Sequence, residues 1–174
     1  YGATADGIVL GYRAGVPVSF LHTVQYHPTG IVFPEQAEGI LITEKFRGSG
    51  ANMANVEGNQ FVNEREPRDV EAASIIKECV HDGKGVPTPT GRLGIWLDSP
   101  MIEDLHGPGT VEKEFPGKHI LYKRFGIDIS KDWLEVAVSD RPQTGLGHQT
   151  PYEQISHTTP DGGLFAVRIG RSGV

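Results

Sequence analysis

The sequence has little cysteine, no long apolar run and no excess of basic residues. Cys79 is the only cysteine among 174 residues, which excludes an internal disulfide and a zinc site built from several cysteines, and fits a reducing compartment. No apolar stretch approaches the roughly 20 residues that a membrane helix needs, so we expect no direct membrane span. Acidic residues outnumber basic ones, 22 against 16, which disfavours nucleic acid as a partner.

Glycine and proline are abundant instead, and they predict a chain of short elements. The 23 glycines and 12 prolines are too many turn-forming residues for a helical bundle. The length and the hydrophobic content of 37% suffice for one ordinary domain with a real core. Because the chain begins with tyrosine and not methionine, we expect residue 1 to be a cut point within a longer protein.

Hydrophobic period and turn residues predict both helices and strands over the first 129 residues. The clearest helix lies within 67–85, and its apolar face is predicted from residues at helical spacing: Val70, Ala73, Ile76 and Val80. A tight turn at Gly58 predicts a hairpin over 55–62. The other predicted elements are a helix within 4–15, strands within 16–27, 39–46 and 87–102, and a helical piece broken near Pro116. No period continues beyond Ile129.

A histidine before a proline is the first candidate for chemistry. His27 follows an apolar run and precedes Pro28, which restricts the backbone of the residue before it. An imidazole N–H held in this way can donate a hydrogen bond to a carboxylate. Taken alone, the motif favours a loop histidine that is hydrogen-bonded to backbone.

The stretch TEKFR, residues 43–47, places a hydroxyl, a carboxylate and a guanidinium group close together. Thr43 offers a hydroxyl donor at a strand end, while Glu44 and Arg47 can face one another across a turn. A carboxylate between two guanidinium groups can pass a proton while it stays mostly ionised. The ordinary alternative is a surface ion pair, worth about 0–1 kcal/mol.

Arg68 lies at the start of the clearest predicted helix. A salt bridge to Glu64 or Glu66 is its ordinary explanation. With a pKa above ~12, an arginine is a poor general acid in water. Arginine becomes plausible as a general acid only in a site that excludes water, next to a carbanion-like centre and a proton relay that reprotonates the guanidinium group.

The order of the motifs is more specific than any one of them. TADG, QYHPTG, GILITEKFRGSGA, NVEGNQF and EPRDVEAASI follow one another at close spacing. In this order they resemble the flavoprotein subunit of succinate dehydrogenase and fumarate reductase, a family that also includes L-aspartate oxidase. The resemblance covers about residues 1–129. It implies an FAD-dependent oxidoreductase that interconverts succinate and fumarate.

The resemblance also implies a fold and a division into domains. The fold would be α+β, with short strands and a few helices, and would form the mobile capping domain that closes over the substrate. Residues 1–15 resemble the edge of the FAD domain, and residues 16–129 resemble the capping (substrate) domain. Residues 130–174 are expected to form an irregular C-terminal tail of uncertain register.

Catalytic roles follow from the resemblance residue by residue. Arg68 matches the arginine that gives a proton to fumarate, or whose surroundings take one from succinate. Glu44 and Arg47 match its proton relay. The hydride would move between the flavin and the substrate. No metal ligand is implied.

Binding roles are implied in the same way. His27 and Thr43 match residues that hold a substrate carboxylate. Asp6 matches an aspartate that touches FAD, with Ala5 in the place of the family's glycine. The resemblance thus groups one cofactor contact and two substrate contacts with the catalytic residues.

The sequence departs from the family in three places. The G-x-G-x-x-G fingerprint for FAD is absent, so we expect FAD in the complete protein and not in this chain alone. The second substrate histidine and arginine cannot be placed, and the candidates by residue type only are His148, His157 and Arg171. Residues 126–138 also resemble the first strand of RNase-H-like transposases, with Asp128 as a metal ligand, but a coincidence at a short apolar strand is the better explanation.

Two functions remain open at this stage. The chain is either an enzyme fragment that supplies substrate contacts and the proton-transfer arginine, or a non-catalytic capping module that binds a partner chain or a carboxylate weakly. We expect the isolated chain to be inactive and prone to self-association. The implied partners are a dicarboxylate, the FAD domain and an iron-sulfur subunit. The implied location is cytoplasmic and, through partner subunits, at the inner face of the membrane.

Overall fold

An antiparallel sheet organises residues 27–139, one of two units into which the chain divides. The computed structural model describes residues 5–19, 21 and 25–139. The second unit comprises residues 1–26 and 140–174, and its described part contains the helix α1, Asp6–Arg13. This helix confirms the one predicted within 4–15.

Among the described residues, the sheet contains six strands, all paired antiparallel. They are β1 (Gly30–Ile31), β2 (Asn52–Ala54), β3 (Gln60–Val62), β4 (Val86–Pro87), β5 (Leu93–Asp98) and β6 (Leu134–Ala137). Their order is β1-β6-β5-β2-β3, and β4 pairs with the other part of β5. The longest strand, β5, therefore connects the two halves of the sheet.

The hairpin predicted around Gly58 is confirmed. Strands β2 and β3 pair with Met53 opposite Val62, and Gly58 has the positive φ of 80° that a tight turn requires. The side-chain oxygen of Asn55 accepts the backbone N–H groups of Glu57 and Asn59, at 3.0 Å each. This asparagine closes the turn in the way that favours Asn at such positions.

Strand β6 lies inside a region that the sequence assigned to an irregular tail. Val136 pairs with Ile95 of β5 on one side and with Ile31 of β1 on the other. Leu134 and Val136 are fully buried, and no position in 134–137 is exposed. The tail assignment is therefore wrong for these residues, because their apolar run fills the gap between two strands from distant parts of the chain. Residues from 140 onward lie outside the described part.

The described part of residues 27–139 contains five α-helices in addition to the sheet. They are α2 (Lys45–Gly48), α3 (Arg68–Ile76), α4 (Pro100–His106), α5 (Thr110–Glu114) and α6 (Pro116–Lys123). Helix α3 continues as a π-helical segment, Lys77–His81. Pro116 begins α6 one residue after α5 ends, which confirms the predicted break, because proline suits the first turn of a helix but not its interior.

The buried face of α3 differs from the predicted one. Val70 and Val80 are 41% and 50% exposed, whereas the residues that pack inward are Ala72, Ile75, Ile76 and Cys79. These four residues also recur at helical spacing, so the sequence contains two apolar stripes, either of which could form the buried face. Ile76 belongs to both stripes, and the observed stripe adds Ile75, which is completely buried.

Two predicted strands are not observed. Within 39–46, Leu41 forms a single bridge to Gly30, and the chain then turns into α2. Burial of Phe46 and Arg47 on this short helix explains the change. Within 16–27, the described residues 16–19, 21 and 25–27 form no strand, and the others lie outside the described part.

The core lies between the sheet and the helices. Its largest fully buried apolar side chains are Phe46, Tyr122, Ile31, Ile42, Met53, Ile75, Ile95, Leu97, Ile102, Ile129 and Leu134. Among the described residues, no helix combines the length and the apolar character that crossing a membrane requires.

Candidate functional site

An ion pair joins the segment before α2 to the start of α3. The Nε and Nη2 groups of Arg68 both donate to Oε2 of Glu44, at 3.0 and 2.6 Å. The hydrogen bond and the charge of Arg68 lower the pKa of Glu44 below its usual range. The ordinary explanation of Arg68 was a salt bridge to Glu64 or Glu66, but its guanidinium group pairs with Glu44 instead. Two of the three predicted catalytic residues are thus in direct contact although 24 positions separate them.

A second ion pair lies buried beside the first. Nη1 of Arg47 contacts Oε1 of Glu71, and both side chains are almost completely buried, at 1% and 0% exposure. Burial lowers the pKa of Arg47, the charge of Glu44 raises it, and the charge of Arg68 lowers it. The hypothesis that Arg47 pairs with Glu44 across a turn is therefore corrected, because its direct partner is Glu71.

His27 is buried and neutral near these charges. Its Nδ1 accepts the backbone N–H of Thr29 at 3.3 Å, so the ring proton is placed on Nε2. Burial, together with the charges of Arg68 and Arg47, lowers the pKa of His27 from 6.5 to about 4, and the charge of Glu44 opposes them. The imidazole therefore lies within electrostatic reach of all three groups, and its Nε2–H can act as a hydrogen-bond donor.

Stability should depend on pH through His27. Its folded pKa of about 4 lies below the ordinary 6.5, so the unfolded chain binds more protons between these values. Stability rises with pH across this window and is lost as the pH falls through it, by up to about 3 kcal/mol. We expect His27→Asn to flatten this dependence in urea unfolding at pH 7 and pH 4.5. The exposed His81→Asn is the control, and an unchanged slope in His27→Asn would contradict the assignment.

Thr43 is placed differently from the other predicted site residues. It precedes Glu44 in the chain and is exposed. It lines a cavity of about 600 Å³ whose other walls are Lys45 and residues from 114 to 124. Neither His27 nor Arg68 lines this cavity. Among the described contacts, Thr43 is connected to the Glu44–Arg68 pair only because it precedes Glu44 in the chain.

Asp6 begins α1 in the other unit. The residue before it, Ala5, has a φ of 61°, a left-handed conformation that glycine adopts more readily. This is the position where the resemblance has glycine. The candidates His148, His157 and Arg171 lie outside the described residues.

Sequence reasoning did not identify Glu71. A glutamate between Val70 and Ala72 is predicted to be exposed when Val70 is placed on the apolar face. The signal that could have found it is the other stripe, because Glu71 lies beside Ala72 and Ile75 on the buried side. A buried carboxylate requires a cation, and Arg47 is the cation that contacts it.

Comparison with known proteins identifies the family. The family model described as FAD binding domain matches residues 1–168. The chain belongs to the family of FAD-binding flavoproteins that includes fumarate reductase and succinate dehydrogenase. The resemblance seen in the sequence is thereby confirmed.

Two relatives of this flavoprotein family illustrate the similarity. The chain is 33% identical over 138 residues to a fumarate reductase (CoM/CoB) protein of Methanothermobacter marburgensis, covering 76% of the chain and 24% of that protein. It is 34% identical over 166 residues to L-aspartate oxidase of Pyrococcus furiosus, covering 92% of the chain and 30% of that protein. The chain thus spans 24% and 30% of the length of these two relatives.

The fold agrees with that of solved flavoproteins. A quinol fumarate reductase from E. coli superposes with a TM-score of 0.58 at 26% identity, covering 79% of the chain and 26% of that protein. The helices and antiparallel sheet described above are consistent with the α+β prediction. The assignment of residues 16–129 to a capping domain remains a prediction.

Proposed function

We propose that this chain is the part of a flavoprotein oxidoreductase that binds a dicarboxylate and delivers a proton to it, interconverting fumarate and succinate. The contact between Arg68 and Glu44 carries the proposal. It joins a strong donor to a carboxylate that reaches solvent, beside a buried second arginine and a neutral imidazole. The family membership supports an enzyme over a non-catalytic module.

The charges and donors suit a dianionic substrate. Arg68 and the Nε2–H of His27 can each donate to a carboxylate oxygen, and Arg47 adds a buried positive charge behind them. Because His27 is neutral, it binds by donation and not by charge. Thr43 would supply a further hydroxyl to the same substrate.

The proton would reach the substrate through the observed contact between Glu44 and Arg68. In fumarate reduction, one carbon of the double bond receives a hydride and the other receives a proton from Arg68, giving succinate. Glu44, which is 58% exposed and bonded to Arg68, would return a proton from solvent to the guanidinium group. Arg47 would stabilise the charges while the proton moves. Succinate oxidation would use the same groups in reverse.

FAD supplies the hydride chemistry in this family when it is bound. Asp6 and the left-handed backbone at Ala5 fit the edge of such a site, since the chain turns there as a glycine would allow. The G-x-G-x-x-G fingerprint is not in the sequence, so the rest of the cofactor site would come from other parts of a longer protein. We expect the separated chain to hold no flavin.

Partner chains are proposed on the same basis. We propose that the complete protein works with an iron-sulfur subunit that carries electrons, in the cytoplasm and, through its partners, at the inner membrane face. When separated from its partners, the chain would self-associate through α1. This helix exposes four large apolar side chains: Ile8, Val9, Leu10 and Tyr12.

The test is turnover by the full-length flavoprotein that contains this sequence. We expect fumarate reduction with a reduced dye, and succinate oxidation with an oxidised dye, each saturating with substrate. L-Aspartate is the competing substrate, because one similar protein is an L-aspartate oxidase. Oxidation of L-aspartate without turnover of fumarate or succinate would overturn the proposed substrate pair. Absence of turnover with all three would overturn the proposed function.

A further inference from the structure

We propose that Glu71 is a positioning residue of this site, whose buried carboxylate holds Arg47 in place and neutralises it, so that Arg68 and not Arg47 is the partner of Glu44. The inference rests on the proposed function. It adds a residue to the site that neither the motifs nor the family resemblance assigned.

Burial is the first observation that carries the proposal. Glu71 and Arg47 are both almost inaccessible to solvent, and their contact is the only ion pair in the described part of the chain in which both side chains are below 10% exposed. A charged pair in such surroundings survives only if each partner compensates the other. Removal of the Glu71 carboxylate would leave the buried guanidinium group of Arg47 without its counter-ion.

Orphaned donors are the second observation. Nε and Nη2 of Arg47 have no hydrogen-bond partner among the described residues, although both atoms are buried. Within the described ranges, Glu71 is thus the one carboxylate in direct contact with this guanidinium group. The orientation of Arg47 depends on a single anchor, and donors remain available to a second anion if the anchor is removed.

The charge balance around Glu44 is the third observation. The charged and titratable groups that act on Glu44 are Arg68 from α3, Arg47 from α2 and His27 from the segment before β1. With Glu71 ionised, two carboxylates balance two guanidinium groups, and His27 is neutral. Without Glu71, the charge of Arg47 would be balanced by Glu44 alone, which would make Glu44 harder to protonate.

The test is the pH dependence of fumarate reduction by the full-length flavoprotein carrying Glu71→Gln. Because the relay needs a proton on Glu44, we expect the limb of kcat that falls with rising pH to shift to lower pH by about one unit. At neutral pH this gives a loss of kcat of about 10-fold, with KM changed by less than about threefold. Flavin content, read from absorbance, should stay at the wild-type level.

The matched control is Glu78→Gln, two helical turns further along. Glu78 is also buried and accepts a hydrogen bond from Nδ2 of Asn55 at 2.7 Å, but it belongs to no part of the proposed site. A merely structural role predicts similar losses for both variants without a change in the pH profile. Equal profiles for Glu71→Gln, Glu78→Gln and wild type would overturn the inference.

A conservative variant covers the case in which Glu71→Gln does not fold. Glu71→Asp keeps the charge but withdraws it by one methylene group from Arg47. We expect it to fold, to retain most of the pH profile and to lose kcat, with Glu78→Asp unaffected. Wild-type kcat and pH profile in Glu71→Asp would overturn the inference. If the wild-type protein turns over no dicarboxylate, the proposed function fails and this inference fails with it, which distinguishes that result from the failure of Glu71 alone.

Discussion

Replacing Arg68 by lysine in the full-length flavoprotein is expected to lower fumarate reduction by about 10³-fold while flavin binding is unchanged. Two N–H groups of the planar guanidinium reach the same oxygen of Glu44, and a lysine ammonium cannot reproduce this fork while it also donates to a substrate. Loss of a positioned proton donor costs about 10²–10⁴ in rate. Steady-state kinetics with absorbance of the bound flavin measures both parts of the prediction.

The matched control for this variant is Arg65→Lys. Arg65 precedes Arg68 by three residues, its side chain is 72% exposed, and its contact with Glu64 is a long one of 4.0 Å. We expect nearly wild-type rates from it. Retention of more than a tenth of the wild-type rate by Arg68→Lys would remove Arg68 from the proton-transfer role.

Replacing Arg47 by methionine is expected to destabilise the chain by about 3–5 kcal/mol. The substitution leaves Glu71 without its cation in a site that solvent does not reach, and breaking one side of a buried pair costs about this much. Urea unfolding of the 174-residue chain, followed by circular dichroism, measures the loss.

The double variant Arg47→Met with Glu71→Leu distinguishes the contribution of the buried charges to stability from the contribution of side-chain packing. Two apolar side chains of similar size remove both buried charges together, so we expect most of the stability to return. If the double variant is as unstable as the sum of the single variants, the two residues do not act as a pair.

Local signals in the sequence were sufficient for several elements. The turn at Gly58, the proline at the start of α3 and the proline between α5 and α6 each act within a few residues, and each predicted an element that the structure contains. The grouping of Glu44 with Arg68 was predicted only through the family resemblance. Nothing local connects two residues 24 positions apart.

Long-range pairing limited the rest of the prediction. Residues 134–137 were recognisable as a short apolar strand, but their place between β1 and β5 depends on partners about 40 and 100 positions earlier in the chain. The orientation of α3 depended on a choice between two apolar stripes. Because the predicted apolar stripe runs through Val70, no role was predicted for Glu71 and the buried ion pair was missed.

The two ends of the unit formed by residues 27–139 lie side by side. The carbonyl oxygen of His27 accepts the backbone N–H of Ser139 at 2.8 Å, and the strands that follow and precede them, β1 and β6, are neighbours. A polypeptide that entered at one end and left at the other would therefore return almost to its starting point. Such a unit can be inserted into a single surface loop of another protein without increasing the distance between the two ends of that loop.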